Sequence, residues 1–229
     1  MATITQKDQD FLRFSTGSGK LAEYECDDYR TAAFRWCPKV AYRDESTIDA
    51  ANFGYVVSGE ATIKAAHSIY QLSAGHYFAL PPGCEVSGGT GFITRHANFL
   101  PLTQIGGPIE SSGRLRYISG CTDTLLIPPP RLGNACLNAL YFPPDTDQQT
   151  HTHPSIRIGV VASGSGRAIL PGRSEPLNVG DIFLIFPDSD HSFRTTDQPM
   201  TVIAYHPDSD FGPRDDDHPM INRTIVPKS

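Results

Sequence analysis

Three histidines, His151, His153 and His191, have the types and spacing to do chemistry in this chain. One residue separates His151 from His153. An extended strand puts alternate side chains on one face, so these two imidazoles are expected to point the same way. Neutral imidazole is a good ligand for Fe, Ni, Cu or Zn, and one more histidine, His191, stands at the end of GDIFLIFPDSDH. The same alternation carries Ser155 and Arg157 on the face of His151 and His153, provided no bulge intervenes. An arginine is permanently protonated and cannot be a metal ligand. Three neutral imidazoles around a divalent ion leave about two net positive charges, and a guanidinium adds another, so the site calls for an anion. Arg157 is therefore expected to bind substrate and take part in catalysis, pairing with a carboxylate, enolate or phosphate as a fork. The alternative turns Arg157 toward a neighbouring strand or chain and closes the site.

Around these residues, Tyr141, Phe193 and His206 are expected to touch substrate, and Gln148 and Gln149 precede the histidine pair. Each also has a structural reading. An aromatic at Tyr141 can simply fill a core. His206 is either a locally satisfied strand-end histidine or a fourth ligand and proton carrier.

The elements that must position these groups are strands. The 229 residues hold 39% apolar and 19% charged side chains, with 20 Gly and 19 Pro, which suits a folded, turn-rich protein of one large or two small domains. Short runs rich in β-branched and aromatic residues are broken by Gly and Pro throughout, among them FGYVVSGEATIKAA, GFITRHANFL, ACLNALYF, GDIFLIF and MTVIAYH. Residues 1–30 read as an arm or edge strand, 106–130 as a connector with a strand at 125–127, and 208–229 as a solvated tail. The strand-rich units lie at 31–105 and 131–207. A net charge of -6 gives no basic footprint for nucleic acid or an anionic membrane. The start MATITQKDQDFLRF lacks the pattern of a secretory signal, so a cytoplasmic location is the default expectation. Cys26, Cys37, Cys84, Cys121 and Cys136 are widely spaced and read as free thiols.

The two units are copies. Gly54 falls on Gly159, Gly59 on Gly164, Gly75 on Gly180, Pro82 on Pro187 and Pro38 on Pro143, always 105 positions apart. Shared glycines demand shared turns, so one β unit is expected twice. Under this offset Trp36 matches Tyr141, while Ser46, Ile48, Val86 and Asn52 stand where the second copy has His151, His153, His191 and Arg157. The first copy therefore lacks the ligands. His67, His76 and His96 form no pair at strand spacing and read as ordinary polar histidines.

HTH, followed by a polar position and then Gly164, resembles the first motif of the cupin superfamily, and GDIFLIFPDSDH resembles the second. The resemblance runs from about Thr31 to Pro207 and implies an all-β bicupin: two tandem jelly-roll β-barrels (double-stranded β-helix) with a metal in the second only. It implies His151, His153 and His191 as the metal ligands. Arg157 departs from the pattern, standing where most metal-binding cupins place a glutamate. Some cupin dioxygenases bind Fe(II) through three histidines alone. That likeness favours Fe(II), with Ni, Zn, Mn or Cu open, and a dioxygenase-like oxidoreductase acting on a small anionic or enolisable substrate. A metal-dependent isomerase or lyase for a sugar acid or keto acid, and a non-catalytic small-molecule-binding cupin, stand beside it. A homodimer is a family-level expectation.

Overall fold

A computed structural model of the chain describes residues 9–218 together with 220, 224, 225 and 227. The first eight residues expected in the arm, and part of the tail, lie outside the described residues. Strands pair antiparallel throughout, as jelly rolls require. The first barrel joins a six-stranded sheet, centred on Ala50–Ser58, Thr90–Ala97 and Arg30–Trp36, to a four-stranded one built on Glu60–Ala65. The second is organised by the long strand Arg157–Leu170. Its first half pairs with Ile182–Ile185 and Met200–His206, its second half with Arg173–Asn178 and Ser192–Arg194. The register slips between Val161 and Ser163, the kind of irregularity that lets one strand turn from one sheet into the other.

Because side chains alternate across a strand, each strand feeds two cores. Ile158, Val160, Ile182, Leu184, Ile203 and Tyr205 point out of the second barrel and meet Phe53, Tyr55, Ala79 and Phe92 of the first in one shared cluster. Val161, Phe183, Ile185, Val202 and Ala204 point inward and fill the second barrel. Trp36, Val56, Ile63, Phe78 and Leu80 fill the first. The two barrels are thus glued face to face by the odd or even residues of the strands that also form their interiors.

The repeat survives at the level of atoms. A Cβ on Gly54 would lie 2.2 Å from the Phe78 ring, and one on Gly159 would lie 2.5 Å from the Phe183 ring, so each barrel lays a phenylalanine across a glycine in the paired strand. Gly75 and Gly180 share φ values of +91° and +86°, a conformation that favours glycine. The match of Trp36 with Tyr141 does not survive. Val56 pairs with Gly91 and Gly91 with Trp36, while Val161 pairs with Val202 and Val202 with Leu140. Leu140 is therefore the counterpart of Trp36. A shift of one residue reverses the face, so Tyr141 sits in the shared cluster between barrels and not inside the second.

Two flanking segments join the sheets of the barrels. Residues 106–130 are more than a connector: Leu115–Arg116 and Thr122–Ile127 extend the second barrel's sheet next to Cys136–Phe142. In the arm, Phe11–Phe14 pairs with Ile182–Ile185 of the second barrel, and Gly19–Glu25 pairs with Arg30–Trp36 of the first. Arg35 pins the crossing, donating to the carbonyls of Gly17 at 3.0 Å and Gly180 at 2.8 Å.

Candidate metal centre

His151 and His153 are not on one continuous strand. Pro154 and Ser155 form a bend, and the strand begins only at Arg157, so simple alternation does not explain why these side chains meet. Two facing segments do. The amides of His151 and His191 each donate to the other's carbonyl at 3.0 Å, and the amide of Asp188 donates to the His153 carbonyl at 2.7 Å. This places the ring centres of His151 and His191 4.4 Å apart, with His153 5.0 Å from the first and 5.1 Å from the second. One nitrogen of each ring lies within 4.8 Å of the other two.

The protons are placed by the backbone. His151 Nδ1 is 2.9 Å from the carbonyl of Gln149, and His191 Nδ1 is 2.9 Å from that of Ser189. A carbonyl only accepts, so each Nδ1 carries the hydrogen and each Nε2 keeps its lone pair. Among the described residues the buried Nε2 of His191 has no hydrogen-bond partner. Burial pushes the pKa of His191 down to about 4; burial, with Arg157 and the neighbouring imidazoles adding to it, pushes that of His153 down to about 3. Neutral rings with free lone pairs are what a divalent metal takes from histidine, and the three residues fit one.

A cavity of 240 Å³ opens beside the three rings. Phe142, Phe183 and Phe193 form one aromatic side of it, with ring centres 5.2 and 5.7 Å from Phe193. His206 lines it with its ring centre 6.5 Å from that of His153; it stays outside the three-histidine group, and burial holds it neutral. Gln148 lines it as well, its Oε1 accepting from the Phe193 amide at 3.2 Å. Tyr141 does not line it. Arg157 does, but its guanidinium is already engaged: Nη1 donates to the Ser155 hydroxyl and lies 3.6 Å from the Asp208 carboxylate. Its Nε is buried without a partner among the described residues.

Sequence reasoning missed Asp123, Asn138 and Tyr117, which also line the cavity. The Asn138 amide donates to both Asp123 oxygens at 3.0 Å, and burial raises the Asp123 pKa against that hydrogen bond. A signal was present in ACLNALYF, where Asn138 interrupts an otherwise apolar strand that also pairs with its neighbours on both edges.

Residues 140–206 match the family described as a cupin domain. No curated protein sequence matches the chain. Among solved structures, a cupin 2 conserved barrel domain protein from Leptotrichia buccalis is similar at 12% identity and a TM-score of 0.58, covering 88% of this chain and 91% of that one. Protein Ylba from E. coli is 18% identical with a TM-score of 0.57, covering 86% and 82%. A salicylate 1,2-dioxygenase variant from Pseudoaminobacter salicylatoxidans, in complex with gentisate, is 10% identical with a TM-score of 0.55, covering 77% and 68%. At these identities the likeness is one of fold.

Proposed function

We propose that this chain is a member of the cupin superfamily whose second barrel is a metal-dependent oxidoreductase of the three-histidine, non-haem Fe(II) dioxygenase type, acting on a small anionic or enolisable substrate. The observation that carries this reading is the pair of backbone-pinned imidazoles, His151 and His191, each offering a ring nitrogen within 4.8 Å of one on His153, while the Nε2 of His191 stays buried and unpaired among the described residues. A buried acceptor without a donor is costly unless something binds it. When bound, a divalent iron supplies open coordination positions for a chelating substrate and the electrons for chemistry with O2.

The chain's own residues do the rest. Arg157 offers its unpaired Nε and the edge of its guanidinium to the substrate's negative group, while Ser155 and Asp208 hold the side chain in place. The aromatic side formed by Phe142, Phe183 and Phe193 packs a flat or apolar substrate body and keeps water from it. The fold likeness to a salicylate 1,2-dioxygenase supports the same reaction class at the level of architecture only.

A second reading, a metal-dependent isomerase or lyase acting on a keto acid or sugar acid, is favoured by one observation. Asp123 is a cavity-lining carboxylate whose pKa is raised, as suits a group that takes and returns a proton. Metal analysis of protein purified without added metal, repeated on His153→Ala, tests the centre: about one metal per chain is expected in the wild type and almost none in the variant. Full retention by the variant sinks it. Oxygen uptake with gentisate and salicylate separates the two enzymes, since isomerase or lyase turnover proceeds unchanged under anaerobic conditions.

A further inference from the structure

A second cavity, of 400 Å³, lies against the first, and Asp123, Asn138, Arg157 and His206 line both. These four polar side chains, with the apolar Leu115, which also lines both, form a waist between a chamber at the histidines and an outer one. Small-molecule sites commonly run from about 300 to 1,000 Å³. The inner chamber alone falls below that range, and the two together fall within it. Resting on the metal-centre reading above, we infer that the ligand is an elongated monoacid: its chelating head lies at the histidines, its carboxylate passes Arg157, and its apolar tail occupies the outer chamber.

The outer walls select the tail. Leu125, Pro129, Pro154 and Phe211 make them mainly apolar, and Phe211 is 67% exposed, an aromatic surface left for something to cover. Asp208 and Asp210 stand on the same walls, and the cation lining that chamber, Arg157, is the one already facing the head. A second anionic group at the far end of the ligand would therefore meet carboxylates, whereas methylene groups would meet Leu125 and Phe211. The strand Thr122–Ile127 carries both Asp123 of the waist and Leu125 of the outer wall, two residues apart on one face, which ties the two chambers into one site.

The test uses the full chain loaded with Co(II) and titration calorimetry with pyruvate, 2-oxohexanoate and 2-oxoadipate, with metal content measured on the same samples. Affinity should rise about fourfold for each methylene added between pyruvate and 2-oxohexanoate. The diacid 2-oxoadipate, of the same length, should bind no better than pyruvate. Leu125→Trp fills the outer chamber and should abolish the gain with length. Phe211→Ala alters an exposed side chain and should reduce the same gain without loading the fold. Metal-loaded protein that binds pyruvate and 2-oxohexanoate equally overturns the inference, as does a length gain that persists in Leu125→Trp, or tightest binding by the diacid. Protein that takes up no metal instead fails the metal-centre reading, and this inference with it.

Discussion

Where the second barrel carries Arg157, the first carries Asn52, and the company kept by the two side chains differs in kind. Tyr42 donates to Asn52 Oδ1 at 2.5 Å, the Asn52 amide donates to Asp44 at 2.8 Å, and Arg95 lies 3.8 Å from the same carboxylate. Arg95 occupies the strand position two residues beyond the partner of Gly54; His206 occupies the matching position beyond the partner of Gly159. In the first barrel Tyr42, Asn52 and Asp44 satisfy one another, and the Nε of Arg95 is buried without a hydrogen-bond partner among the described residues, as the Nε of Arg157 is in the second. What sets the second barrel apart is the imidazole: only there is a buried histidine Nε2, that of His191, left over among the described residues. Buried polar groups that satisfy one another specify a core, whereas surplus ones point to a ligand. Duplication kept the turns and the glycine–phenylalanine contacts in both copies; the polar contents of each barrel diverged.

The comparison can be broken in order of expected effect. A divalent metal at about a thousand times its dissociation constant should stabilise the wild type by about 4 kcal/mol in thermal melts, and His191→Ala should remove that gain entirely. Asp44→Ala should cost about 1–3 kcal/mol, because it removes the buried carboxylate that accepts from the Asn52 amide and faces Arg95, yet metal content should not change. If Asp44→Ala lowers metal content as much as His191→Ala does, the division of labour between barrels is wrong. Gly54→Ala and Gly159→Ala should cost about 1–3 kcal/mol each in denaturant melts, since the new methyl strikes a buried phenylalanine in both. Widely different costs would show that the packing repeat is superficial.

Smaller effects probe single groups. The pKa of His191 is held down to about 4, below the unfolded value of about 6.5, so between these the unfolded chain binds more protons. Its contribution is therefore complete above about pH 6.5 and is lost as pH falls toward 4. In metal-free protein, His191→Gln should flatten the decline by about 1.4 kcal/mol per pH unit across that window, as read from melts at each pH. Tyr141→Phe should change stability by less than about 1 kcal/mol and leave metal content untouched, as expected of a ring that packs between barrels.

Turn chemistry made the architecture legible. Glycines such as Gly75 and Gly180 stand at backbone conformations that other residues avoid, so their constant spacing announced a repeated unit before any strand was placed. The group of three histidines was legible for a similar reason, as a motif at fixed distances. What failed were the inferences about facing. His151 and His153 meet because His191 and Asp188 zip against their backbone, a contact some 35 to 40 positions away that no alternation rule contains. Tyr141 went to the wrong face because the repeat slips by one residue in its strand. Asp123 was hidden in a segment whose short strands become visible only through their partners.

The strand Phe11–Phe14 has a consequence for how the chain is made. It leaves the ribosome well before its partner, Ile182–Ile185, which follows about 170 residues later, and Arg35 locks the closure through Gly180. The second barrel therefore cannot finish folding as it emerges; it waits for a strand that must stay unpaired through most of synthesis. Such long-range closure slows folding and leaves an open edge exposed in the meantime. Deleting residues 9–16 from the full chain would fix that interim state permanently: the edge of Ile182–Ile185 would stay bare, and the protein should self-associate unless a peptide spanning residues 9–19 is supplied.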